Sequence, residues 1–153
     1  VTLTNDIKSI DAFIAQKFPT ATTSHKQTTP SAHVANSFVT RFQNTISTTE
    51  TAVSWRTERE YQIVYYGAKS ADTLAAMDAL SETFYTAKVI AKDGDSRFIR
   101  VESFAYSAPF KAADSDMYVC IGILRAVTRE MRSMATYESA NKIMHVNVRL
   151  KPE

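Results

Sequence analysis

Lys92, Asp93, Asp95 and Arg97 lie within one six-residue stretch and set two carboxylates beside two cations. In that arrangement one acid can hold a proton while the other accepts one. The local sequence argues for a different role, because Asp93-Gly94-Asp95 stands between two strand-like runs and supplies the conformations that a tight turn requires. Asp114 and Asp116 sit on a later loop and have the same turn explanation, although two acidic loops together could attract a cation. His25, His33 and His145 are scattered singly, none at a metal-ligand spacing from another histidine, a cysteine or a paired carboxylate. Ser103 and Ser107 lack a histidine in any familiar nucleophile setting, and a serine without an orienting base is not activated at neutral pH. Gly67, Gly94 and Gly122 are the only glycines, too few and too dispersed for a phosphate-cradling loop. Cys120 lies in the apolar run Met117–Ile121 and reads as a small buried hydrophobe. The sequence therefore assigns no catalytic residue, no cofactor and no metal.

The elements that would position these residues follow from composition and periodicity. The chain has 153 residues, 44% hydrophobic and 22% charged, enough for one domain with one core. A formal net charge of +2 gives no strong bulk attraction to nucleic acid, so such a role would need a local patch. No apolar stretch approaches the roughly 20 residues of a membrane span. The opening Val1-Thr2-Leu3-Thr4 lacks a signal-like region, and a cytoplasmic, membrane-free protein is the expectation.

From Thr4 to Phe18, Ile7, Ile10, Phe13, Ile14 and Phe18 recur at helical spacing, with Asn5 and Asp6 suited to the amino end and Pro19 stopping the helix. Residues 20–32 read as an exposed strand or an extended loop. Val34–Phe42 and Val53–Tyr66 read as strands that Thr45–Thr51 connects as a long, polar hairpin. In the second strand Val53, Trp55, Tyr61, Ile63 and Tyr65 alternate with Arg56, Glu58, Glu60 and Gln62. Thr57 and Arg59 interrupt the apolar side, so this strand is expected to project beyond the core. Ala71–Thr86 is a second helix, with Ser70 as its cap and Leu74, Met77, Leu80, Ser81 and Phe84 on its buried face. Strands follow at Val89–Ala91, Phe98–Tyr106, Met117–Val127 and Met144–Leu150, separated by loops at Ser107–Ser115 and Met131–Lys142. This order lacks regular strand–helix alternation. It predicts an α+β fold: an antiparallel sheet with two helices packed on one face and projecting hairpin or loop arms.

Two surfaces could recognise a polymer. Tyr61, Tyr65 and Tyr66 with Phe38 and Phe42, beside Arg41, Arg56 and Arg59, could form a base-stacking platform, but aromatic residues on strands more often face a core. Arg125, Arg129, Arg132, Lys142, Arg149 and Lys151 could form a positive edge, read here as a solvated strand face or as one paired with a neighbour's acids.

Across nearly its whole length the chain resembles the bacteriophage tail terminator (tail completion) family. The resemblance rests on the opening helix closing at Lys17-Phe18-Pro19, the charged strand Arg56–Tyr66 before a helix, and the segment Leu74–Phe84. It continues through the Asp93-Gly94 hairpin, the strand pair Ile99–Tyr106 and Met117–Val127, and the late Met134–Leu150 segment. The threonine-rich stretches at 20–30 and 43–51 are longer than the family pattern. The resemblance implies a structural virion protein at the tail–neck region, assembled in a host cytoplasm. It would form a ring, commonly a hexamer, that binds the last ring of tail tube protein, ends polymerisation and joins the head–tail connector. Genomic DNA would pass through the ring without sequence-specific binding. Such a ring needs projecting arms, which places Thr45, Thr48 and Thr51 on one arm, Met131, Arg132 and Tyr137 on another, and Arg56 and Arg59 at a subunit boundary. The alternatives are another neck or tail component of similar fold, such as a tube or connector protein, and a nucleic-acid-binding α+β domain using the basic carboxyl-terminal strand. A small enzyme has the least support.

Overall fold

The computed structural model describes residues 3–25, 34–113 and 115–133. The expected strand Met144–Leu150, Tyr137, Asp114 and most of the expected arm after Met131 lie outside them. In chain order the elements are α1 (Leu3–Lys17), β1 (Thr22–His25), β2 (Ser37–Thr49), β3 (Ser54–Gly67), α2 (Ser70–Ala87), β4 (Val89–Ala91), β5 (Phe98–Tyr106), β6 (Phe110–Lys111) and β7 (Tyr118–Met131). Among the described residues seven strands form one sheet in the order β1-β2-β3-β7-β5-β4, with β6 pairing β7 alongside β5. Every pairing is antiparallel except β1 with β2, so the α+β sheet is mixed rather than wholly antiparallel. The stretch read as strand or loop thus resolves into a four-residue edge strand and its flanks.

Strand alternation divides the sheet into two faces. Phe38 on β2, Tyr61, Ile63 and Tyr65 on β3, Cys120, Leu124 and Ala126 on β7, and Ile99 and Phe104 on β5 point toward the helices. They meet Ile10 and Ile14 of α1 and Met77, Leu80 and Phe84 of α2 in one buried cluster. Both helices therefore cover the same face. Gly122 is required at the centre: a Cβ there would lie 2.5 Å from the Phe104 ring and 2.8 Å from Met77 Cε. On the opposite face Val39, Val64, Tyr66 and Val119 form a smaller buried cluster near one end of the sheet.

Two details of the helices differ from expectation. The buried stripe of α2 is Thr73, Met77, Leu80 and Phe84, whereas Leu74 is 46% exposed. The stripe is rotated by one residue because the Thr73 hydroxyl donates to the Lys69 carbonyl and packs against Gly67, so a polar side chain fills the first inward position without an unmet hydrogen bond. The cap position is Lys69, and no side chain caps the amino end; Ser70 is already helical.

The polar segment Thr45–Thr51 also differs. Rather than forming the connection, it is largely the continuation of β2, which pairs with β3 as far as Thr49↔Trp55. Threonine's branched Cβ suits a pleated strand even where little is buried. A bulge between Phe42 and Asn44 shifts the register, and from Gln43 onward β2 is exposed. β7 accompanies β3 as far as Ser54↔Met131, so this end of the sheet is three-stranded, and Thr57 and Arg59, expected to mark a projecting strand, instead face inward, Thr57 buried and Arg59 paired with Asp6.

Candidate interaction surfaces

The titratable side chains form two groups, one inside the molecule and one on the uncovered sheet face. Asp6, in the first turn of α1, is fully buried and pairs with Arg59 of β3; its other oxygen lies 3.3 Å from Lys92 Nζ. Lys92 Nζ is also 3.3 Å from Glu130 of β7, and Glu130 pairs in turn with Arg97. Asp95 Oδ2 lies 3.8 Å from Arg97 Nε, and the Asp93 backbone N–H donates to Ser9 Oγ at 3.0 Å. Charges this buried require partners, and here each has at least one. The chain of ion pairs fastens α1 and the β4–β5 turn to the middle of β3 and the carboxyl end of β7. Asp6, which reads in sequence as a helix-start acid, is the buried anchor of this arrangement. Gly94 at φ +70° confirms the tight-turn reading of Asp93-Gly94-Asp95.

On the sheet face away from the helices, β3 and β7 align charges in rows. Arg125 donates through Nε and Nη2 to Glu60 at 3.0 and 2.6 Å, which holds the guanidinium more firmly protonated. Arg129 grips both oxygens of Glu50 at 2.8 and 3.2 Å, and this fork draws the Glu50 carboxyl below its ordinary pKa. Arg56 bridges Glu58 at 3.0 Å and Glu102 at 2.8 Å. Next to these rows an open cleft of about 330 Å³ is lined by Arg56, Arg97, Phe98, Arg100, Val127 and Arg129, four cations and two apolar side chains without an acid in its wall. Arg100 makes no ion pair among the described residues. Phe98 is 57% exposed.

The hairpin is the second surface. β1 pairs only with Ser37–Thr40, so beyond Thr40 the outer edge of β2 has no strand neighbour among the described residues. From Gln43 to Thr49 that edge carries no charge and no proline, the features by which natural sheets discourage strand addition. Thr45 pairs across to Arg59 and Thr48 to Arg56, while Thr51 Oγ1 and Ser54 Oγ are 2.7 Å apart in the connecting turn. Arg132 donates to Thr49 Oγ1 at 3.0 Å and lies over the Trp55 ring at 5.8 Å; Met131, at the end of β7, is 60% exposed.

The third surface is the outward face of α2, where Ala71, Asp72, Leu74, Ala75, Asp78, Ala79, Glu82 and Tyr85 are exposed. This helix has three acids and no base. Tyr85, at its end, has its hydroxyl 3.1 Å from the Phe104 N–H, which donates to it, and 3.3 Å from the Phe104 carbonyl, covering part of the outer edge of β5.

The remaining sequence candidates are structural. Phe38, Tyr61, Tyr65 and Tyr66 are buried, so they form core rather than a stacking platform. Cys120 is fully buried, its Sγ 3.0 Å from the Ser107 carbonyl, and burial pushes the thiol pKa up. Ser107 hydrogen-bonds through its backbone N–H to Ile121 at 3.1 Å. No group of three or more His, Cys, Asp or Glu side chains that could hold a metal occurs among the described residues. No helix among them is long and apolar enough to cross a membrane. Arg100, Phe98 and the acids of α2 were not singled out by sequence, although the lack of any basic residue between Ser70 and Ala87 was visible there.

No protein-family model matches the chain, and no curated protein matches it. Solved structures do. A chain of a native gene transfer agent virion is similar at a TM-score of 0.41 and 16% identity, covering 78% of this chain and 87% of that one. A second solved chain is similar at a TM-score of 0.45 and 18% identity, with coverage of 82% and 92%. Likeness at this level assigns no function.

Proposed function

We propose that the chain is a structural protein of a phage-like particle that acts as a tail terminator. In this reading copies assemble into a ring, commonly of six, which seats on the last ring of tail tube protein, stops its growth and offers its other side to the head–tail connector. The observation that carries the reading is the β2–β3 hairpin. It extends past the helix-covered core, is exposed from Gln43 to Ala52, and keeps a long uncharged outer edge on β2. A free edge of this kind adds a strand from a partner through backbone hydrogen bonds, with little demand on side-chain chemistry. Thr45, Thr48 and Thr51 belong to this arm, and Met131 and Arg132, at the end of β7, lie beside its tip, next to Ser54 and Val53. The sequence resemblance supports the same role, and termination by geometry needs no catalytic group.

The reading is tested by sedimentation across a concentration series, with a fluorophore on a cysteine introduced by Thr51→Cys in a Cys120→Ala background. Concentration-dependent closed assemblies, with quenching or spectral shift of the tip label when tube protein is added, are the expected outcome. A monomer whose tip label ignores tube protein would contradict it.

A further inference from the structure

We propose that the outward face of α2 of one copy seats on the arginine-lined sheet face of the next, forming a head-to-tail contact between copies of this chain. The inference rests on the ring reading above and names its subunit surfaces. The two patches are complementary. α2 presents Asp72, Asp78 and Glu82 with no base, Asp78 also accepting from the Tyr106 hydroxyl, and beside them stand the exposed Leu74 and Tyr85, 46% and 51% accessible. The cleft presents Arg56, Arg97, Arg100 and Arg129 around Phe98 and Val127. Among the described residues Arg100 has no ion pair, and Phe98 is more than half exposed. Ala71, Ala75 and Ala79 keep the helix surface shallow enough for close approach.

Placement decides the symmetry. α2 covers one face of the sheet, whereas Arg56, Arg100, Val127 and Arg129 alternate onto the other. A contact joining opposite sides of one molecule cannot be self-reciprocal, so it repeats in one direction and closes into a ring when the rotation allows. A nucleic-acid backbone is the less fitting occupant. Glu58 and Glu102 already hold Arg56, and Glu50 holds Arg129, so a run of phosphates would meet these carboxylates beside the cleft. A few well-placed acids on a largely apolar helix face would meet Arg100, unpaired among the described residues, and the exposed Phe98 instead.

The test uses two charge-reversed full-length chains. One carries Asp78→Lys with Glu82→Lys; the other carries Arg100→Glu with Arg129→Glu. Each alone is expected to associate about 30-fold more weakly than the wild type, since every contact then pairs like charges. Mixed in equal amounts, they should recover the wild-type mass in sedimentation, because basic helix meets acidic cleft and acidic helix meets basic cleft in strict alternation. Recovery also shows that both variants fold. If the wild type assembles and both variants assemble equally well, or the mixture gains nothing, the contact is overturned while the ring reading stands. If the wild type stays monomeric at all concentrations, both fall. Unchanged assembly with loss of salt-sensitive DNA binding in the Arg100→Glu/Arg129→Glu chain would reassign the cleft to phosphate and overturn the proposal.

Discussion

Asp6 shows how much one side chain's role depends on what the fold places around it. An acid in a helical first turn is ordinarily worth a few tenths of a kcal/mol against the helix dipole. Here it is fully buried between Arg59 and Lys92. Asp6→Ala leaves two cations facing each other in the interior and should destabilise the fold by about 3–5 kcal/mol in urea titration. Asp93→Ala, on the exposed turn, should change stability by no more than about 0.5 kcal/mol. Sequence could not separate these aspartates, because burial is a long-range property: the partners of Asp6 lie 53 and 86 residues away along the chain. The turn role of Asp93-Gly94-Asp95 and the burial of Cys120 were legible, since both follow from neighbours in sequence. Glu50 makes a pH prediction. Its pKa is lowered in the folded chain, so its tie to Arg129 is complete above the ordinary value of 4.5 and is lost as pH falls through the depressed one. The Arg129 Nε–H resonance should persist at pH 5 and move only at lower pH; a midpoint at or above 4.5 would contradict the pairing.

At the level of elements, hydrophobic periodicity located both helices and most strands, because each buries one continuous stripe. It failed where a polar group took an inward place. Thr73 enters the core of α2 by donating to the Lys69 carbonyl, and Leu74 is displaced onto the surface. The length of β2 was not legible, since exposed threonines carry no alternation to read, and Thr57 and Arg59 interrupt the apolar side of β3 because they face inward as polar residues, Thr57 buried and Arg59 paired with Asp6. Gly122 offers a packing test. Gly122→Val drives a branched side chain into the Phe104 ring and Met77, and should cost about 1–3 kcal/mol or more by thermal denaturation. Ile46→Asp, on the exposed arm, should leave the unfolding midpoint nearly unchanged while weakening engagement of a tube partner. Loss of both together would mean that the arm is part of the folding core.

For the whole molecule, a net charge of +2 conceals an uneven distribution. One side of the sheet carries α2 with its acidic outer surface; the other carries rows of arginine and glutamate beside a cleft walled by four arginines. Two unlike faces and a β2 edge that is unpaired beyond Thr40 among the described residues are the features on which the proposed assembly rests. The α+β class was legible from element order, but the division of charge between the faces was not, because strand register decides which residues share a face. The most direct test of the account is negative-stain imaging of tail tubes grown with and without the purified chain. The account predicts rings of this chain at tube ends and tubes that stop lengthening once capped. Tubes that grow to the same lengths, with bare ends, would contradict it.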